Sequence, residues 1–421
     1  MLRKTLFCSS IAILSLSSCG PSSRDMPGDD DGSGNNGNGN NGSNGINAPC
    51  NSGAYDFPGD GIDNDCDGTV DNPPGPCDMA LNAASTDGSD FAKAIDICQV
   101  SDGMSWGLVS AAYSQTDGNG TPAATQHYLG PNFGTGVLPK TGSSLAILGT
   151  GPLRSSSGQN GWADFPGEHS DNQTAAFPSD WLMANGGQLP TSSACGSGIF
   201  SGGTTPTDAN SPMMVTLKIK VPTNAASFTM NVNFFSSEFP EYVCSEFNDF
   251  FVVLLDSTYN GTPANPSDKN LAFYTPDMGA TKYPVGVNLA AANKGLFSQC
   301  TNGSVGCDAL QSININTCTG TDELAGNGMS SDPADCDGTE GGGTGWLQTS
   351  GNVVPGETIT LRIATWNTSD NKLQSLAVID SFQWNPGASM PGTTIFLDRP
   401  AMPGGPQLQT SDVESEETSA R

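Results

Sequence analysis

The stretch Val215-Thr216-Leu217-Lys218-Ile219-Lys220-Val221 alternates apolar and polar side chains without a break. Because successive side chains of a β-strand point to opposite faces, this pattern predicts a strand with one buried and one solvated face. Residues 228–234 repeat the same period. Residues 250–255 are apolar throughout, which predicts a central strand that is covered on both faces.

Further strand candidates follow the same reasoning, and one short helix is predicted over residues 90–98, where apolar side chains recur at i,i+4. The chain contains 53 glycines and 29 prolines, which separate the apolar runs. Many short strands with long polar loops predict an all-β domain, an antiparallel β-sandwich or jelly-roll, over residues 79–387. The additional strand candidates are residues 106–113, 145–148, 359–363 and 376–384.

The N-terminus has the features of an export signal. Two basic residues precede an apolar run over residues 6–16, and residues 16–19 read Leu-Ser-Ser-Cys. This pattern resembles a bacterial lipoprotein lipobox, which implies a signal peptide over residues 1–18 and lipid attachment at Cys19. The expected location is the cell envelope, at the outer membrane or surface of a Gram-negative bacterium. The alternative is an ordinary secretory signal that leaves Cys19 free in the mature chain.

The net charge indicates the kind of partner, and the composition predicts the nature of the two segments that flank the folded part. The formal net charge is -28, and it becomes -30 if residues 1–18, with two basic and no acidic residues, are removed. Such a charge argues against nucleic acid as a partner and favours divalent cations. Residues 19–49 are rich in Gly, Asn and Ser and predict a flexible linker. Residues 388–421, rich in Pro and Gly and then acidic, predict a disordered tail.

The chain has twelve cysteines, and ten remain when Cys8 and Cys19 are set aside. In an oxidising compartment an even number of this size allows up to five disulfides, whose pairing the sequence leaves open. Zinc is the weaker alternative, because the sequence contains no Cys-x-x-Cys pair and only two histidines.

Residues 50–78 contain seven aspartates and form an Asp/Cys module. In calcium loops, carboxylates at positions 1, 3 and 5, Gly at 6, a carbonyl at 7 and an oxygen at 9 surround the ion. The chain therefore predicts a structural Ca²⁺ site, although position 12 is Pro74 and no helix is predicted beside the loop, so this is not an EF-hand. Cys66 could pair with Cys50 or Cys77, and the alternative to the Ca²⁺ site is a solvated acidic linker closed by a disulfide. The predicted metal ligands are Asp63, Asp65, Asp67, Thr69 and Asp71.

The loop resembles the calcium loops of thrombospondin type 3 repeats. Residues 60–68, which read Asp-Gly-Ile-Asp-Asn-Asp-Cys-Asp-Gly, are more similar to a metal-binding motif of some bacterial surface proteins. The few ligands supplied imply weak affinity, with a Kd of about 10⁻⁴–10⁻³ M, and a role in ordering the module.

The large domain resembles the choice-of-anchor L family. The strongest segment reads Phe-Phe-Ser-Ser-Glu-Phe-Pro-Glu-Tyr-Val over residues 234–243. The resemblance implies a secreted bacterial domain and no established activity. Asn367 and Gln374 stand where the family often has Asp, which weakens any cation site built on those acids. The other matching segments are residues 106–110, 144–151, 247–251, 361–370 and 376–382.

Four acids of this domain remain as a second cation site or as loop-fixing groups, namely Glu238, Glu241, Asp249 and Asp380. In the loop-fixing alternative, the two glutamates bind turn amides and Asp249 caps a strand.

These observations predict a surface lipoprotein of binding or structural role, with no catalytic residue and an unidentified glycan or protein ligand. Phe239 and Tyr242 are expected to be exposed on a loop and to contact that ligand. The alternative is an extracellular glycosidase that uses Glu238 with Asp249 or Asp380, two carboxyls separated by roughly 5–9.5 Å. Residues 138–142 read Leu-Pro-Lys-Thr-Gly, a sortase motif, but their mid-chain position before a predicted strand makes the match a coincidence.

Overall fold

The computed structural model describes residues 51–153, 173–190, 192, 195, 206–275, 281–292, 294–305, 313–329 and 341–396. The chain divides into two units, residues 1–48 and 49–421, and every described residue belongs to the second unit. The expected signal peptide, Cys19 and linker lie outside the described residues. Within the described part, no helix is long and apolar enough to cross a membrane.

Two antiparallel sheets form the body. Sheet A consists of β1 (Gly107–Ser114), β4 (Thr174–Ala176), β5 (Asp208–Lys220), β7 (Phe250–Asp256) and β14 (Thr358–Asn367). Sheet B consists of β2 (His127–Gly130), β3 (Leu145–Gly149), β6 (Ser227–Ser236), β12 (Gly342–Gly343), β13 (Leu347–Asn352), β15 (Ser375–Asn385) and β16 (Gly392–Ile395). The strand order of sheet A is β1-β5-β14-β7, with β4 also paired to β5. The strand order of sheet B is β16-β13-β6-β15-β3-β2, with β12 also paired to β6.

The remaining elements are short. Two pairs of small strands lie outside the main sheets, β8 with β9 and β10 with β11. These elements are β8 (Phe273–Tyr274), β9 (Tyr283–Pro284), β10 (Gly303–Val305), β11 (Ile313–Ile315), the α-helices α1 (Gly88–Ala94) and α2 (Ser179–Ala184), and the 3₁₀ helices Val287–Ala292 and Asp322–Leu324.

The main hydrophobic core lies between the two sheets, as the alternating patterns predict. On β5, Leu217 and Ile219 are fully buried and Lys218 is exposed. Leu217 is paired with Leu361 of β14 in the antiparallel register, and the core also contains apolar side chains of β6 and β15. The sandwich predicted from the sequence is therefore confirmed.

Both outer faces of the sandwich also carry apolar layers. On sheet A, the ring of Trp181 in α2 lies 5.5 Å from that of Trp366 and 6.0 Å from that of Phe250. On sheet B, the ring of Phe133 lies 5.3 Å from that of Phe235. These layers cover the outer faces of the two sheets.

Two predictions about the strands require correction. The polar face of β6 is not solvated, because Asn231 and Asn233 are buried and Asn233 donates to Oε2 of Glu323 at 2.6 Å. The strand β7 is covered on both faces, as predicted, but it ends the strand order of sheet A and is not central. An irregular segment forms hydrogen bonds with its outer edge. For example, the amide of Leu271 donates to the carbonyl of Val253 at 2.7 Å.

Two segment ends also differ from prediction. The helix α1 ends at Ala94 and does not reach Cys98, because Asp96 adopts a left-handed φ of 69°. The tail was predicted to begin at residue 388, yet β16 follows that point and pairs with β13. Residues 397–421 lie outside the described residues.

The Asp/Cys module is docked on the body. The indole of Trp106 donates to the carbonyl of Ala54 at 2.8 Å. Asn224 accepts from the amide of Tyr55 and donates to its carbonyl, both at 2.8 Å. Phe57 belongs to the main core. The segment that precedes the acidic loop is therefore part of the body's packing, and the predicted boundary at residue 78 separates no independent unit.

Three disulfides lie among the described residues, and they join Cys77 to Cys98, Cys195 to Cys244 and Cys300 to Cys318. Cys66 is disulfide-bonded as well. The expectation that Cys77 could be its partner is wrong, because Cys77 is bonded to Cys98, four residues beyond the end of α1. That bond joins the module to the body a second time.

Candidate metal centre and buried carboxylates

The acidic loop brings three of the predicted ligands together. Asp63, Asp65 and Asp67 each offer a carboxylate oxygen, and these oxygens all lie within 4.8 Å of one another. The turn forms because Asp63 accepts from the amide of Cys66 at 2.7 Å and from that of Gly68 at 3.0 Å. Cys66 and Gly68 both have positive φ, at 67° and 94°, and the glycine adopts that conformation without steric cost.

The electrostatics of the loop are those of closely spaced carboxylates. Partial burial and the neighbouring carboxylates, Asp67 among them, raise the pKa of Asp65. The pKa of Asp67 is lowered, mainly because the side-chain amide of Asn72 donates to it at 2.7 Å. A cation between these groups would relieve their mutual repulsion.

The other predicted ligands have different roles. Asp71 accepts from the amides of Gly59 and Gly61 at 2.9 and 3.0 Å, and it is not in the three-carboxylate group. Thr69 donates its amide to Asp67 at 2.7 Å. The structure therefore assembles three of the five predicted ligand side chains and uses Asp71 to close the preceding turn.

Sequence reasoning missed Asp56, which frames the loop. Asp56 is 2 % exposed and accepts from the amide of Asn64 at 3.0 Å and from that of Asn72 at 2.5 Å. Its carboxylate thus connects the two ends of the acidic loop through hydrogen bonds. The available signal was its position between Tyr55 and Phe57, because two flanking aromatic side chains indicate a segment that packs on a core.

The four candidate acids of the β body are buried. Glu238 and Glu241 are 1 % and 3 % exposed, in the turn that follows β6. Asp249 is fully buried and accepts from the amide of Thr368 at 3.0 Å and from the hydroxyl of Ser375 at 2.7 Å. Its burial raises the pKa of Asp249 well above the ordinary value.

Asp380 fixes the loop that contains the sortase-like motif. It accepts from the amide of Lys140 at 2.5 Å and from that of Thr141 at 3.4 Å. Burial, with Asp96 nearby, raises the pKa of Asp380 to about 7. Asp249 therefore binds a main-chain amide just after β14, and Asp380 binds main-chain amides in the loop before β3. In the part of the chain that the structure describes, the four body acids are not among the groups of three whose ligand atoms converge.

The expectation of two exposed aromatic residues after β6 is wrong for Phe239. It is 2 % exposed, and its ring lies 4.7 Å from that of Phe297. Tyr242 is partly exposed and packs edge-on against Phe247, with ring centroids 5.3 Å apart. The turn is folded back on the body, so its largest apolar side chain is not available to a ligand.

Comparisons with known proteins gave no match: no family model, no curated protein and no solved structure matches the chain.

Proposed function

We propose that this protein is a cell-envelope lipoprotein in which a calcium-binding module is docked on a β-sandwich body of binding or structural role. The observation that carries the proposal is the convergence of the Asp63, Asp65 and Asp67 carboxylates within 4.8 Å. Ca²⁺ takes six to eight oxygen ligands at about 2.3–2.6 Å, and carboxylates, carbonyls and water all serve. Three carboxylates on one turn, with carbonyls and water completing the shell, suit that ion.

The docking of the module supports a structural role for the ion. Asp56 joins the two ends of the loop, and the adjacent Tyr55 is held by Asn224 of the body. A cation on the loop would therefore stiffen a segment already tied to the sandwich. In chain order the proposed protein has lipid at Cys19, a flexible linker, the docked module and the body.

The choice-of-anchor L relationship is part of the proposal. It is supported by the position of the matching segments, since residues 234–243 cover the end of β6 and its turn, and residues 361–370 cover most of β14. A glycan or protein ligand and attachment to the membrane through the lipid complete the proposal. The glycosidase alternative finds less support, because a general acid must reach its substrate and Glu238, Asp249 and Asp380 are at most 1 % exposed.

Calcium binding is tested by calorimetric titration of the metal-free full chain with CaCl₂. We expect saturable binding with a Kd of about 10⁻⁴–10⁻³ M, and loss of that binding in the double variant Asp65→Asn, Asp67→Asn. The matched control is Asp102→Asn, Asp117→Asn, which removes two charges from exposed turns elsewhere. MgCl₂ should bind more weakly, because Mg²⁺ demands octahedral geometry and retains its water. Absence of saturable heat, or equal binding by both double variants, would contradict the proposal.

A further inference from the structure

A small cavity lies where the module meets the body. Its volume is about 30 Å³, and it is lined by residues of the module, of the segment after α1 and of both sheets. Four of the ten lining residues are aromatic, namely Tyr55, Trp106, Phe382 and Trp384. The carboxyl-bearing lining residue is Asp96.

The aromatic wall is fixed in place. The indole of Trp106 is oriented by its hydrogen bond to Ala54, and its ring lies 5.4 Å from that of Tyr55. The rings of Phe382 and Trp384 lie 4.9 Å apart in an edge-to-face arrangement. Aromatic faces attract cations through their quadrupole, most strongly when the cation is desolvated.

The charge around the cavity is negative. None of the lining residues is basic. The Asp96 carboxyl accepts a hydrogen bond from the hydroxyl of Thr141, and burial raises its pKa. Burial also raises the pKa of Tyr55 to about 12, which keeps its phenol neutral. The cavity therefore combines aromatic side chains with a carboxyl whose ionised form a cation would stabilise.

We propose that this cavity binds the primary ammonium group of a small organic amine, held by the Asp96 carboxylate and the surrounding aromatic rings. The ammonium would interact with the carboxylate and the rings together, whereas strongly hydrated metal ions favour all-oxygen sites. A cavity of about 30 Å³ holds roughly two atoms of the size of a water oxygen. This volume is close to that of the two heavy atoms of methylammonium and smaller than that of the five heavy atoms of tetramethylammonium. The site does not depend on calcium at the acidic loop.

The test follows the indole N–H resonances of Trp106 and Trp384 in ¹⁵N-labelled, metal-free full chain at pH 8. Methylammonium chloride is added at constant ionic strength, with KCl, methanol and tetramethylammonium chloride as separate comparisons. We expect saturable shifts with methylammonium alone, at a Kd in the millimolar range or weaker, because a ligand of two heavy atoms offers little binding energy. Absence of saturable shifts, or equal shifts with methanol or tetramethylammonium, would overturn the proposal.

Two variants locate the site. Asp96→Asn should weaken methylammonium binding by about tenfold or more, as expected when a charged hydrogen-bond partner is lost. Asp117→Asn removes the same charge from an exposed turn and should leave binding unchanged. Equal weakening by both variants would show a response to net charge and would overturn the proposal. If Asp96→Asn does not fold, the comparison of methylammonium with methanol on the unaltered chain decides the question.

Discussion

The substitution Asp380→Asn should change how the stability of this protein depends on pH. Asp380 is fully buried on β15, and it fixes the loop that contains Lys140 and Thr141 through their amides. Asparagine has nearly the same shape and retains one acceptor oxygen, but it carries no charge. The substitution thus removes the titration and keeps most of the packing.

The expected magnitude follows from the pKa of Asp380, which is raised from the ordinary 3.8 to about 7, mainly by burial. Between these two pH values the folded state holds a proton that the unfolded chain has released. The free energy of unfolding therefore falls as pH rises through this window, and the ionised carboxyl is destabilising above it. About three pH units at about 1.4 kcal/mol each give about 4 kcal/mol.

The assay is urea denaturation of the unaltered chain and the variant at several pH values from 4 to 8, followed by tryptophan fluorescence. We expect the variant to gain about 4 kcal/mol relative to the unaltered chain between pH 4 and pH 8. A constant offset from the altered hydrogen bonds does not affect this difference. Asp117→Asn, at an exposed turn, should show no such gain. A parallel pH dependence of the unaltered chain and Asp380→Asn would refute the reasoning.

Substitutions at three further positions test other parts of the protein. Trp106→Phe should lower the free energy of unfolding by about 1–3 kcal/mol in urea denaturation, because the buried carbonyl of Ala54 loses its donor; an unchanged midpoint would contradict the docking of the module. Asp78→Ala should cost at least about 2 kcal/mol, because two serine amides at 2.5 Å lose their acceptor, and Asp78→Asn should recover part of that loss. Cys19→Ser should move the intact protein from the membrane fraction to the soluble fraction; persistence in the membrane fraction would contradict the lipid anchor.

The strands were predictable because their signal is local. A period of two along β5 follows from the geometry of a single strand, and it requires no knowledge of the partner strands. The same pattern failed for the solvated face of β6, because Glu323, 90 residues further along the chain, covers Asn233. A continuous apolar run, in turn, does not distinguish an edge strand from a central strand. The apolar run of β7 is buried on both faces, and its edge is closed by the irregular segment around Leu271.

The sequence likewise predicted only part of the arrangement of the candidate metal loop. The i, i+2, i+4 spacing of Asp63, Asp65 and Asp67 places their carboxylates together within one turn, which the sequence shows directly. Asp71 instead accepts hydrogen bonds from two glycine amides that precede the loop. The spacing of residues within the motif does not predict these contacts. The role of Asp56 depends on where the loop ends meet in space, which became visible only with the fold.

The hydrogen bonds of the acidic loop limit what a cation contributes to it. Both oxygens of Asp63 already accept from amides, and Asp56 closes the loop from below. A carboxylate oxygen has two lone pairs, so an oxygen bound to an amide can also bind a cation. The turn is consequently formed by hydrogen bonds from its own main-chain amides to these carboxylates, and Ca²⁺ would chiefly neutralise three converging charges. Weak affinity follows from this arrangement, since the ion gains little from folding the loop and must compete with water for exposed carboxylates.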